Sequence, residues 1–202
     1  MKIYQGISAA LLALFCALPA VAHPVTYVGI LSNLGEPSPA QLSLGSGQVS
    51  VIFDDDLFTM DVNVTFSGLT GNTTASHFHC CTTVAGAGSA GVASPVPSLP
   101  GFPLGVTSGS YQRTFDLTLL SSWNQSFINA NGGTTSSAFA AFSTGLAAGK
   151  AYLNIHTSFV PGGEIRAFLT PAPAPVPVPG SVALMVSGLV GLGAMMRRRR
   201  AA

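Results

Sequence analysis

Basic residues are scarce wherever this chain could build a surface from them. Of eight Lys and Arg in 202 residues, Lys2 and Arg197 to Arg200 lie at the two ends. Residues 23–170 keep only Arg113, Lys150 and Arg166 against Glu36, Asp54, Asp55, Asp56, Asp61, Asp116 and Glu164, a formal charge of −4. Such a surface lacks the positive field that gathers phosphates, which excludes nucleic acid as a partner. The short signatures of common catalysis are missing too: no Gly-x-Ser-x-Gly elbow, no His-Glu-x-x-His helix, no phosphate-binding glycine loop. Asp54-Asp55-Asp56 is not followed by EF-hand spacing and reads as a solvated turn. The protein is therefore expected not to be an enzyme. Cysteine is limited to Cys16, Cys80 and Cys81. Cys16 follows the bulky Phe15, where a lipoprotein signal needs a small residue, so it reads as filler in an apolar run.

That run belongs to a processing segment. Lys2 opens residues 1–22, residues 7–18 are apolar, and Ala20-Val21-Ala22 forms a small-x-small cleavage site. This is the layout of a signal peptide handled by the secretion translocon and signal peptidase, with cleavage between Ala22 and His23. At the other end, residues 171–181 alternate proline with small residues, which favours an extended spacer. Residues 182–196 are apolar and Gly-rich, and an arginine cluster occupies 197–202. An apolar helix followed by arginines stops in the inner membrane with the arginines cytoplasmic. This run is shorter than the ~20 residues of a full span, which suits a temporary anchor. The order of spacer, helix and arginines resembles the PEP-CTERM sorting signal of Gram-negative bacteria. The matching residues are Val176, Pro177, Val178, Pro179, Gly180 and Ser181, with Val178 where the motif usually carries Glu. The resemblance implies removal of the tail by an exosortase-like protease and an exopolysaccharide or matrix setting. The expected course is export, transient anchoring through the C-terminal helix, then residence in the cell envelope or outside the cell.

Between the ends the pattern is mainly β. Residues 24–31 place Val25, Tyr27, Gly29 and Leu31 on one side, and residues 47–53 alternate through Val49, Val51 and Phe53. Residues 57–66 set Phe58, Met60, Val62, Val64 and Phe66 at period two, and residues 111–119 repeat the rhythm through Tyr111, Phe115, Leu117 and Leu119. Residues 152–157 and 164–169 flank Pro161-Gly162-Gly163 as a hairpin. Residues 121–130 open on a serine cap, and the Ala-rich stretch 136–148 stops at Gly149; both read as short helices. Residues 85–109, rich in Gly, Pro, Ser and Ala, are expected to form a long surface loop. The sum is an antiparallel β-sandwich with one or two short helices across residues 23–170.

His77 and His79 stand two apart and share one side of a strand, and His156 lies on the penultimate strand. Three imidazoles converging this way suit copper or zinc. The preferred reading is plainer: a structural network in which the histidines fix the turn at Gly162-Gly163. Glu164 and Arg166, also two apart, would pair with them or with each other. Cys80 and Cys81 are adjacent in an oxidising compartment, so they cannot staple an ordinary loop. A vicinal disulfide, free thiols, a soft-metal site and a bridge between two copies all stand, the first preferred.

Longer strings carry a second resemblance. Ala151-Tyr152-Leu153-Asn154-Ile155-His156-Thr157 with Pro161-Gly162-Gly163-Glu164-Ile165-Arg166 resembles the closing signature of the CHRD domain. Ser76-His77-Phe78-His79 and Phe66-Ser67-Gly68-Leu69-Thr70 match its internal motifs, and Glu36-Pro37 matches part of another. The likeness spans about residues 25–169. The domain is named for repeats in chordin, an extracellular antagonist of growth factors; the resemblance brings no activity with it. The leading expectation is an exported binding or structural protein of the envelope or matrix. Its rival is an exported copper- or zinc-binding metalloprotein.

Overall fold

A computed structural model describes residues 24–36 and 39–173. The expected signal peptide, the sorting motif, the 182–196 helix and the arginine tail lie outside them. Among the described residues no helix is long and apolar enough to cross a membrane. The chain divides into two compact units between Thr170 and Pro171, and the first contains the fold.

Period-two alternation builds the larger sheet. β1 (Val25–Leu31), β2 (Ser46–Asp54) and β3 (Thr59–Ser67) form an antiparallel meander, and β5 (Gly109–Asp116) pairs with β3. The sheet order is β5-β3-β2-β1-β8, where β8 is the two-residue Thr170–Pro171. Register stacks Val51 on Val62, Val49 on Val64 and Phe53 on Met60, all pointing inward. Facing them is a three-stranded antiparallel sheet, β4 (Thr73–His79), β6 (Tyr152–Thr157) and β7 (Ile165–Phe168), in the order β4-β6-β7. Phe78, Leu153, Ile155 and Ile165 complete the core from that side. Burying each such side chain contributes about 1.5–3 kcal/mol. The molecule is mainly β, as its alternation predicts, with two antiparallel sheets and two short helices.

The sheets meet where β1 runs into β7. Ser32 and Arg166 exchange both backbone hydrogen bonds, at 3.1 and 2.9 Å. Glycine at position 29 permits this approach, since a Cβ there would lie 2.8 Å from the Phe168 carbonyl and 2.9 Å from Ala167 Cβ.

Several boundaries differ from the sequence expectation, each for a local reason. The strand expected over 57–66 starts two residues later, because the Asp54 carboxylate accepts from Asp56 N and Leu57 N at 3.0 and 2.8 Å and holds the turn. The strand expected to reach Leu119 ends at Asp116, whose side chain accepts from Thr118 N at 2.9 Å and turns the chain. The first helix is capped by Asn124 rather than a serine: Ser122 lies in a 3-10 turn, and α1 spans Gln125–Ala130. α2 (Thr135–Ala147) opens on a capping box between Thr134 and Ser137. Its Phe142 closes one end of the sandwich against Phe78 and Trp123, with ring centroids 6.1 and 5.7 Å apart. Residues 85–109 are more than a surface loop. Leu99 and Phe102 enter the core, and Ala93 N, Leu99 N and Gly105 N bond to Phe78, Ser76 and Thr73 carbonyls, covering the free edge of β4. Glycine, proline and serine in that segment mask these anchors in the composition.

Glu164 does not pair with a histidine or with Arg166. It precedes β7 and is fully buried. Its carboxylate accepts from Ser43 Oγ at 2.5 Å, Thr70 N at 2.6 Å, Gly71 N at 3.1 Å and Thr157 Oγ1 at 2.5 Å. One side chain thus ties the β1–β2 loop, the β3–β4 turn and the end of β6. Burial pushes this carboxyl up, but the four donors outweigh it and hold the group below its ordinary value. Glu164→Gln turns an amide N–H toward donors that lose their acceptor, and is expected to cost about 3 kcal/mol in urea unfolding at pH 7. Because the folded value is depressed, that contribution is present above the unfolded-chain value of about 4.3 and is lost as pH falls toward the folded one. The gap between wild type and variant should close over that window.

Candidate metal centre

Alternation along the smaller sheet sends Phe78, Leu153 and Ile155 to the core, and His77, His79, Tyr152, Asn154, His156 and Arg166 to the other face. That face is covered as well, by residues 85–109 and by the chain around Glu36. His77 and His79 are each 8% exposed, and Arg166 is 5% exposed. Polar groups placed there must find partners inside the protein.

Each histidine finds one partner and keeps one nitrogen free. His77 Nε2–H donates to the Pro97 carbonyl at 2.7 Å. His79 Nδ1–H donates to the Ala90 carbonyl at 2.9 Å, and His156 Nδ1–H to the Pro161 carbonyl at 2.9 Å. A carbonyl can only accept, so each of these bonds sets the tautomer. The remaining nitrogens, His77 Nδ1, His79 Nε2 and His156 Nε2, are buried and have no hydrogen-bond partner. The three residues offer ligand atoms within 4.8 Å of one another, and the group includes no carboxylate or cysteine among the described residues. Nitrogens bound at about 2.0–2.1 Å to one tetrahedral ion stand about 3.4 Å apart.

Burial is the main cause that lowers all three imidazole pKa values; the carbonyl bonds raise them in part. His77 is lowered further by His156, and His79, at about 4, by its histidine neighbours and Arg166. The rings are neutral at pH 7 and present lone pairs. His77 lies across the strand pair from Asn154, and its ring centroid is 5.1 Å from that of His156.

Around this cluster sit residues whose role the sequence did not disclose. Tyr152 stacks on His79 with centroids 4.8 Å apart and rings 3° from parallel, and its hydroxyl accepts from Ala90 N at 3.2 Å. The Arg166 guanidinium lies 5.1 Å from the centre of the Tyr152 ring. Instead of meeting Glu164, it pairs with Glu36 at 2.8 Å and donates to the Gly88 carbonyl at 2.8 Å. Burial raises the Glu36 pKa and outweighs the bond and charge of Arg166 that lower it. Asn154 Oδ1 is a further buried acceptor without a partner. The signal that could have found Tyr152 and Asn154 is strand parity, since both alternate with His156 along β6.

Cys80 and Cys81 are joined by a disulfide, so neither offers a thiolate. Cys80 is buried, and the pair packs against Gly145 of α2, where a Cβ would collide with both sulfurs. Asp54, Asp55 and Asp56 also lie close together, on the surface, with Asp54 engaged in its turn.

Two antiparallel sheets around one core, the smaller carrying the His-x-His strand and the Gly-Gly-Glu-x-Arg hairpin, define a class of domain. The family model of the CHRD domain matches residues 29–169, and the chain belongs to that family. The match ends before the proline-rich spacer. Comparison with curated proteins and with solved structures finds no match for the chain.

The buried Arg166–Glu36 pair separates two kinds of change. Arg166→Met alone strands a carboxylate in the interior and is expected to cost roughly 3–5 kcal/mol in denaturant unfolding. Adding Glu36→Leu should recover much of that loss, since the second change removes the unpaired charge.

Proposed function

We propose that the protein is an exported metal-binding domain of the cell envelope or matrix, holding one copper or zinc ion on His77, His79 and His156. One observation carries the reading: three clustered imidazoles, two buried and one half-buried, are each anchored through one nitrogen and keep the other buried and unpartnered. Each unpaired buried acceptor costs about 1–3 kcal/mol, a cost that an ion shared by the three nitrogens would relieve. Ligands oriented by backbone carbonyls are what a preformed metal centre requires. A non-catalytic role agrees with the absence of catalytic motifs in the sequence. A purely structural or matrix-binding role without metal is the competing reading, favoured by the hydrogen bonds that the same histidines give to the covering loops.

Export rests on the ends of the chain. Residues 1–22 have signal-peptide character, and residues 171–202 resemble a PEP-CTERM tail that an exosortase-like protease would remove. The inner membrane would hold the protein through residues 182–196 until then, and exopolysaccharide or other matrix components would be its neighbours.

The full chain, purified from the envelope of a Gram-negative host and saturated with copper or zinc, should retain one ion per molecule by native mass spectrometry. The His77→Ala/His156→Ala variant should retain none while keeping its circular dichroism. A metal-free wild type under saturation would leave the matrix-binding reading. In the same host, deleting residues 175–202 should abolish membrane-linked processing. Identical fractionation with and without the tail would remove the sorting proposal.

A further inference from the structure

The donor set also discriminates among ions. Resting on the metal reading above, we infer that the His77–His79–His156 centre is built for monovalent copper, held by three nitrogens without water.

The first reason is charge. All three donors are neutral, and their tautomers are set by the Pro97, Ala90 and Pro161 carbonyls. The group holds no carboxylate or thiolate among the described residues. Glu36, the acid that meets this face, pairs with Arg166 through Oε2, and the group of ligand atoms does not include it. Arg166 is itself a cation, one ring removed from His79 through Tyr152. A zinc or cupric ion would therefore keep its full double charge in a buried site beside a guanidinium. The solvation cost of burying an ion grows with the square of its charge, so a monovalent ion meets about a quarter of it.

The second reason is space. His77 Nδ1, His79 Nε2 and His156 Nε2 are closed off from solvent. Zinc completes four ligands and takes a water where the protein supplies three. Cupric ion prefers a tetragonal set with further ligands. Cuprous ion has a filled d shell, no demand for a fourth ligand, and binds imidazole well in a trigonal plane. Three clustered imidazoles from β4 and β6, with their free nitrogens buried, match that preference.

The third reason is the far side of each ring. Backbone carbonyls accepting from the distal N–H groups make the imidazoles better electron donors and hold them in place. This compensates for the missing anionic ligand without adding charge that would favour a dication.

The test uses the full chain, stripped of metal and kept anaerobic. It is titrated with Cu(I) buffered by bicinchoninate, and in parallel with Zn(II) and Cu(II) under matched competition. The expected result is one Cu(I) per chain, with Zn(II) and Cu(II) lost to their competitors. X-ray absorption at the copper edge should fit three nitrogens and no fourth light atom, with no paramagnetic resonance signal. His79→Gln should lose the ion; should that variant unfold, the absorption spectrum of the wild type decides alone. If Zn(II) or Cu(II) is held as tightly as Cu(I), or the spectrum needs a fourth ligand, the assignment to Cu(I) is overturned while the metal centre stands. If a folded wild type retains none of the three ions, both fall.

Discussion

The smaller sheet, β4-β6-β7, is covered on both faces, and much else in the structure answers to that constraint. One face meets the apolar core. The other carries histidines, an asparagine, a tyrosine and an arginine, and is closed over by residues 85–109 and the segment around Glu36. Burial forces those polar groups to find partners within the chain. The covering loop therefore supplies carbonyls from Ala90, Pro97 and Gly88, and Glu36 comes in to meet Arg166. Glu164 serves the same end at the sheet's margin, where one carboxylate gathers four donors from the β1–β2 loop, the β3–β4 turn and the end of β6.

That pairing is incomplete: the unpartnered buried side-chain atoms among the described residues all belong to this face or to Glu36 above it. Three of the six orphaned buried side-chain atoms among the described residues belong to His77, His79 and His156. They belong to one cluster, and each sits on a ring already tethered at its other end. Burial keeps the rings neutral, which preserves the lone pairs that a cation needs. The same low-polarity surroundings that make an unpaired nitrogen costly make a bound ion effective at relieving that cost. The cluster's lack of a carboxylate ligand then bears on which ion relieves it.

The two cysteines and the acidic turn are positioned differently. Cys80 and Cys81 follow His79 directly, yet strand parity turns Cys80 toward the core, and the disulfide packs on α2 at Gly145. The acidic turn at Asp54 to Asp56 serves the β2–β3 hairpin through a side chain that accepts from two backbone amides. Proximity in sequence to a ligand, or to other carboxylates, did not make either of them part of the histidine cluster.

Strand alternation determined much by itself. The meander of β1, β2 and β3, the 152–157 strand and the alanine-rich helix are local patterns, because period two or a capped apolar stretch needs no distant partner to be read. The CHRD likeness and the pairing of His77 with His79 on one strand face were legible for the same reason. Three things were not. Asx turns at Asp54 and Asp116 shifted strand ends that hydrophobicity alone would have carried further. The role of residues 85–109 depended on edge bonds to β4, which composition conceals. The partners of Glu164 and Arg166 lie up to 130 residues away. Alternation reports which way a side chain points relative to its neighbours on one strand; only the packing of distant segments decides what it meets there, and which of its nitrogens or oxygens are left without a partner.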